Sequence, residues 1–310
     1  MIKKKVTCQC IIADGTAGGS KTKAFALASN GEKIGEAVFG PLNLNGENLE
    51  TVEKTVHDGV RWMAQLPGGL EGCRGLAAGM AGVSNRQAVQ MVEAAIHTSG
   101  YAGSFRLLGD HEIALEGAIE GPGAILIAGT GAVCYGRDRE GNIYRTGGYG
   151  YLIDDGGSGY ALGRDILMAV VRAFDGRGPA TCLTGLVYQA LDVEDISGLI
   201  TWLYSSETGK KEIAGLAPLL LCALDEKDEA AKAIVDKAVY DLTDLVVTFW
   251  RRVNMTSGEL ALCGSIFQYY ATIRDRLTLW LREVLPSVTA IELRHSAAQG
   301  AAMLAMKLFR

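Results

Sequence analysis

A pattern of strand, glycine loop, strand, polar turn and strand occurs twice in this chain, and it restricts the fold more than any other feature. The first copy opens with the apolar run Val6–Ala13 and passes through the loop Asp14-Gly15-Thr16-Ala17-Gly18-Gly19-Ser20 into Lys21–Ser29. Asn30-Gly31 follows, the strongest short-range hairpin signal, and Lys33–Phe39 reads as the return strand. The second copy begins 115 positions on, counted from Asp14 to Gly129. Gly123–Ala128 is a buried strand, Gly129-Thr130-Gly131 a short loop and Ala132–Arg137 a second strand; Glu140-Gly141-Asn142 is a turn and Ile143–Arg145 a third strand. Two copies of one supersecondary unit in 310 residues predict a duplicated α/β architecture of two halves.

Gly15 to Thr22 comes within one residue of the P-loop pattern GxxxxGK[ST], with Ser20 in place of the second glycine. A P-loop lysine must open a helix, whose N-terminus helps to hold the phosphate. The residues after Lys21 lead instead to the Asn-Gly hairpin, so the segment joins two strands. Both glycine loops then read as phosphate-facing hairpin turns, whose backbone N–H groups bind anions without a helix.

Between and beyond the two copies, helices are expected over 47–65, 84–98, 111–119, 159–174, 179–191, 193–203, 210–223, 227–253, 267–284 and 296–308, and strands over 75–83, 105–108, 259–262 and 291–293. Trp62, Trp202, Trp250 and Trp280 fall on these helices as core or interface packing. Forty glycines beside short apolar runs fit many tight strand-to-loop turns. A net charge of −5 gives no footprint for nucleic acid. The seven cysteines include no CxxC pair, which points to a reducing compartment, with Cys8 and Cys10 as buried thiols. The basic-then-apolar start runs into a glycine turn rather than a small-residue cleavage site, and no apolar run reaches membrane-spanning length. A cytoplasmic protein is expected.

Five motifs stand in order along the chain: Asp14 to Thr22; Gly109-Asp110 at a strand end; Ala128-Gly129-Thr130-Gly131; Gly147-Gly148-Tyr149-Gly150 followed by Ile153-Asp154-Asp155-Gly156-Gly157-Ser158-Gly159; and Cys263-Gly264-Ser265. Together they resemble the N-acetylglucosamine kinase and BadF/BadG ATPase group of the actin–sugar kinase–Hsp70 superfamily. That group carries D-x-G-[GS]-T-K-T, N-D, A-G-T-G, G-G-W-G-x-x-L-G-D-E-G-S-G and a late G-G. The first loop here is two residues longer: aligned from Lys21 the family's Asp falls on Thr16, whereas as the strand-ending residue it is Asp14, the placement preferred here. Tyr149 stands for Trp, Gly156 for Glu and Cys263-Gly264 for Gly-Gly.

The resemblance implies a two-lobed actin-like ATPase fold, each lobe a ribonuclease H-like mixed sheet with flanking helices. One lobe would span 1–118, with 296–310 packing back on it, and the other 119–295. It implies Mg-ATP as cofactor, a small sugar as partner and a homodimer. Asp110 is the expected catalytic base and sugar contact, since phosphoryl transfer to a hydroxyl needs a carboxylate beside the attacking O–H; an N-cap for the helix after it is the alternative. Asp14 would sit near Mg²⁺ through water, or merely form a turn. Gly19, Ser20, Lys21, Thr130, Gly131, Gly264 and Ser265 would line the nucleotide. Asn43, Gly147, Gly148, Tyr149 and Asp155 would contact the sugar; the alternatives are a loop Asn capping the helix near 47 and a connector whose Asp154 and Asp155 are solvated. His111 reads as a helix-surface or packing residue. The expected reaction is phosphorylation of the 6-hydroxyl of N-acetylglucosamine, N-acetylmuramic acid or a close amino sugar. An ATPase that activates a partner redox enzyme through an iron–sulfur cluster, and a non-catalytic sugar-binding regulator, are the rival readings.

Overall fold

In the computed structural model, which describes residues 8–13, 21–42, 48–80, 83 and 85–309, the first meander is β1 (Cys8–Ala13), β2 (Thr22–Ala28) and β3 (Lys33–Phe39), paired antiparallel. Thr22–Ala28 is a strand, which removes the P-loop reading. Helices α1 (Leu49–Gln65) and α2 (Gly69–Gly72) lead to β4 (Cys73–Met80), and α3 (Arg86–Thr98) leads to β5 (Ser104–Gly109) and α4 (Asp110–Ala118). β4 and β5 add in parallel beside β1, giving the order β3-β2-β1-β4-β5.

The second meander is β6 (Gly123–Ala128), β7 (Ala132–Arg137) and β8 (Ile143–Gly147). A helical insert follows: α5 (Gly159–Phe174), α6 (Leu183–Leu191), α7 (Ile196–Leu203), α8 (Lys210–Ala214), α9 (Leu219–Asp225) and α10 (Glu229–Arg252). β9 (Gly258–Cys263), α11 (Ser265–Tyr269), α12 (Ala271–Val284), β10 (Val288–Ile291) and α13 (Ala297–Leu308) close the chain. The second sheet has the order β10-β9-β6-β7-β8, with β9 and β10 parallel to β6. Counted within each sheet, both orders read 3-2-1-4-5, so the duplication seen in the sequence is a duplication of topology. The expected helix 210–223 is two helices, because Gly215 and Pro218 interrupt it and proline supplies no N–H. The expected helix 267–284 likewise breaks at Tyr270. The last strand lies at Val288–Ile291, earlier than 291–293, because there it runs in parallel register with Gly258–Ala261.

The chain divides into two compact units, Met1–Glu120 with Glu292–Arg310, and Gly121–Ile291. In the first, alternate residues of β2 and β4 bury to opposite faces. Ala26, Leu76, Ala78 and Met80 meet Val56, Val60 and Met63 of α1 and Val92 and Ile96 of α3. Phe25, Leu27 and Ala77 meet Ile113 of α4 and Ala301, Ala302 and Ala305 of α13. The small residues of α13 permit that approach: a Cβ on Gly300 would fall 2.1 Å from the Ile113 carbonyl oxygen. The second unit buries Leu126, Cys134, Ile166, Val170, Leu242, Val246, Phe249 and Trp250 in one core. Trp250 is thus a core residue and Trp62 packs edge-on to Phe39, whereas Trp280 is exposed on α12.

Candidate active site

Loops that follow the carboxyl ends of parallel strands are where open α/β sheets place ligands. In the second unit β6 and β9 are parallel neighbours, so Gly129-Thr130-Gly131 and Gly264-Ser265 emerge side by side. Gly264 lies flush against Ala128: a Cβ there would stand 2.2 Å from the Ala128 carbonyl oxygen. The Gly129-Thr130-Gly131 loop is closed by a bond from the Gly129 N–H to the Gly131 carbonyl, 2.9 Å. It is also joined to the start of α5, where the Gly159 N–H donates to the Gly129 carbonyl at 2.7 Å. Ser158 caps that helix, accepting from the Ala161 N–H at 3.2 Å.

Asp155 holds this loop from beneath. The residue is 3% exposed and sits at φ 63°, a left-handed conformation that Asp tolerates. Its Oδ1 accepts from the Ala132 N–H at 3.2 Å, and its Oδ2 from Lys210 Nζ at 2.9 Å. A Cβ on Gly131 would press 2.9 Å from Oδ2, so glycine at 131 makes room for this carboxylate. Both oxygens are engaged inside the unit, so the alternative of a solvated Asp155 fails, while each keeps a further acceptor position. The side of Gly131 where a Cβ would stand faces Asp155. Lys210 opens α8, 55 positions from Asp155, and nothing local in the sequence singles it out; only a buried carboxylate's need for a cation does.

β8 ends in Gly147, and Gly147, Gly148 and Gly150 adopt φ of 73°, 74° and 104°. A Cβ at 147 would strike Leu245, and one at 148 Val133, so space and backbone both demand glycine there. The turn lifts Tyr149 into solvent, 60% exposed, while its N–H donates to Asp154 Oδ2 at 3.1 Å. Arg145 lays its guanidinium over the Tyr149 ring, 4.3 Å from the centroid. Beside this loop is a polar cavity of about 330 Å³ lined by Asp154, Arg164, Asp241 and Asp244 among others. Gly156, where the resembled family has Glu, faces Asp241 of α10: a Cβ at 156 would lie 2.9 Å from its carboxylate.

In the first unit the carboxyl ends of β1, β4 and β5 lie together, Ala13 opposite Gly79 and Met80 opposite Gly109. Asp110 follows β5 as the first residue of α4, its side chain 52% exposed. It is not the N-cap: Gly109 holds that place, and its N–H is taken by Glu112 Oε1 at 2.9 Å. The Asp110 carboxylate accepts from the His111 N–H at 2.8 Å and stands 3.2 Å from His111 Nδ1. Desolvation raises its pKa, but the His111 hydrogen bonds and charge more than offset this and hold it below the ordinary value. His111 is thus a neighbour of the candidate base rather than a plain surface residue. Lys21 is exposed just before β2. Asp14, Gly19, Ser20 and Asn43 lie outside the described residues.

Cys134 lies in the core of the second unit, its thiol pushed up to about 12 by burial. Among the described residues no three His, Cys, Asp or Glu side chains converge as a metal cluster. No described helix is long and apolar enough to cross a membrane.

Compared with known proteins, residues 16–305 match the BadF/BadG/BcrA/BcrD ATPase family. The chain belongs to this family. It is 32% identical over 292 residues to an N-acetylmuramic acid/N-acetylglucosamine kinase of Clostridium acetobutylicum, covering 93% of this chain and 95% of the relative. It is 27% identical over 304 residues to an N-acetyl-D-glucosamine kinase of Dictyostelium discoideum, covering 93% and 95%. A solved structure from Chromobacterium violaceum, described as a candidate N-acetylglucosamine kinase, superposes with a TM-score of 0.77 at 25% identity over 97% of this chain and 99% of that one. The duplicated sheets are therefore those of a two-lobed actin-like ATPase.

Proposed function

We propose that this protein is an ATP-dependent amino-sugar kinase that transfers the γ-phosphoryl group of ATP to the 6-hydroxyl of N-acetylglucosamine or N-acetylmuramic acid. Membership of an ATPase family and the named activities of its relatives support the reaction class. The observation that carries the reading is Asp110: a carboxylate at the end of a parallel strand, half exposed, held below the usual carboxylate range, and bound through Oδ1 only to its neighbour His111 among the described residues. In the proposed step the sugar oxygen attacks Pγ, the bond from Pγ to the bridging oxygen breaks, ADP leaves, and the hydroxyl proton passes to Asp110.

The donor set at the second unit's strand ends fits a nucleotide: close-packed glycines and backbone groups, with Lys210 behind the loop as the nearby cation. Thr130 and Gly131 are assigned to the phosphates, Gly264 and Ser265 to the adenosine, and Lys21, Gly19 and Ser20 to the first phosphate loop. Mg²⁺, held by Asp14 through water, would neutralise charge on the transferring group. Asn43, Gly147, Gly148, Tyr149 and Asp155 are assigned to the sugar, with Asp155 also supporting the phosphate loop. The enzyme is placed in the cytoplasm as a homodimer.

ADP release with Mg-ATP against N-acetylglucosamine, N-acetylmuramic acid, glucosamine, N-acetylmannosamine and glucose tests this reading. Sugar-dependent release that falls by two or more orders of magnitude in Asp110→Asn is expected. Turnover that ignores the sugar would move the protein to the partner-activating ATPases.

A further inference from the structure

Arg145 is a partly buried arginine of the second unit, whereas Arg139, Arg172, Arg251, Arg252 and Arg282, which also lack a carboxylate partner among the described residues, are exposed. Arg164, Arg177, Arg274 and Arg276 each pair with a carboxylate. Arg145 has no such partner among the described residues, although it is only partly exposed. Its guanidinium lies instead on the Tyr149 ring, 4.3 Å from the centroid. The arrangement is built from the backbone outward. Residues two apart on a strand point to the same face, so Arg145 projects on the side of Gly147, which opens the glycine turn. The Arg145 carbonyl accepts from Arg252 at 2.7 Å, which fixes the end of β8. Asp154, the first acidic residue after it in sequence, spends Oδ2 on the Tyr149 N–H, and Asp138 and Glu140 before it form no ion pair with it.

A guanidinium carries its N–H donors in one plane and binds carboxylates through its edge. With its carbon 4.3 Å from the Tyr149 ring centroid, the Arg145 guanidinium has no hydrogen-bond acceptor among the described residues, which leaves its N–H donors for a ligand. A neutral hydroxyl needs no such fork, and a partly desolvated cation is costly to keep unless an anion completes it. N-acetylmuramic acid differs from N-acetylglucosamine by one group, a lactyl ether on O3 that ends in a carboxylate.

We propose that Arg145, oriented by Tyr149, recognises a carboxylate borne by the amino-sugar substrate, and so sets the preference for N-acetylmuramic acid over N-acetylglucosamine. This rests on the amino-sugar kinase reading above. Arg145 is a specificity residue: it touches the substituent and not the reacting 6-hydroxyl.

The test compares kcat/KM for the two sugars in wild type, Arg145→Gln, Arg145→Lys and Tyr149→Leu, with melting curves to verify folding. Loss of a charge-assisted bond predicts that Arg145→Gln lowers the N-acetylmuramic acid to N-acetylglucosamine ratio by about 10- to 100-fold, chiefly through KM. Arg145→Lys, which keeps the charge but loses the fork, falls between. Tyr149→Leu, which leaves the guanidinium without its ring, lowers the ratio as well. Equal losses on both sugars, an unchanged ratio, or a wild type that ignores N-acetylmuramic acid overturns the assignment alone. A wild type that phosphorylates neither sugar overturns the kinase reading and the assignment with it. Should Arg145→Gln fail to fold, competitive inhibition of wild type by free D-lactate decides instead: inhibition supports the anion site, and its absence at high millimolar concentration overturns it.

Discussion

Lys210→Met would strand a charge. Asp155 is 4% exposed at its side chain, and without Lys210 the one remaining hydrogen bond to its carboxylate among the described residues is from the Ala132 N–H. Removing one partner of a buried ion pair typically costs about 3–5 kcal/mol. Lys210 keeps 31% of its side chain in solvent, so water can reach the vacated end and the lower figure, about 3 kcal/mol, applies. In a unit of this size that lowers the melting temperature by about 6–12 °C. The double variant Lys210→Met with Asp155→Asn removes the stranded charge, and Asn accepts the left-handed backbone that residue 155 requires. It should therefore be more stable than Lys210→Met alone, with a coupling of at least about 1.5 kcal/mol in the double-mutant cycle. Circular dichroism melts of the four proteins measure this. Because the pair backs the Gly129–Gly131 loop, Lys210→Met should also raise the KM for ATP more than the KM for sugar. A change within about 0.5 kcal/mol for Lys210→Met, or simple additivity in the cycle, would refute the claim that the pair holds the loop.

Two further perturbations test other parts of the account. His111→Leu removes the ring that keeps the Asp110 pKa low and leaves the desolvation that raises it. The acid limb of the kcat/KM profile should then move to higher pH. The contact's contribution to stability, present above about pH 4 and lost as pH falls through the depressed value, should disappear; an unmoved acid limb would separate His111 from the base. At α13, Gly300→Ala gains about 1 kcal/mol of helix propensity, but its methyl carbon would fall 2.1 Å from the Ile113 carbonyl oxygen and 2.4 Å from the Gly117 nitrogen. The clash, about 1–3 kcal/mol and against rigid backbone, decides the sign. A lower melting temperature is expected, and a higher one would show that α13 is free to shift.

The duplicated topology was legible because glycine loops, the Asn-Gly hairpin and apolar runs of strand length are local signals. Lys33–Phe39 and Gly159–Phe174 fall where periodicity and turn residues place them. Asp110 was also legible, since a strand and a helix meet at it. The partners of these residues were not. Lys210 meets Asp155 across 55 positions and Asp241 faces Gly156 across 85, through packing that no window of sequence contains. Asp155 shows the consequence: its motif marked the residue, whereas its burial and the cation supplied to it from α8 come from that packing. The stack of Arg145 on Tyr149 lies between these cases. The two are four residues apart, but only the left-handed glycines between them fold the ring back onto the guanidinium.

The most direct test of the central claim is the product itself. Wild-type protein incubated with Mg-ATP and N-acetylglucosamine, followed by phosphorus NMR with proton coupling, should yield ADP and one sugar phosphate in equal amounts, the sugar signal split by the two protons of a CH₂–O–P group. Inorganic phosphate formed at the same rate without sugar, or a phosphate coupled to a single anomeric proton, would contradict it.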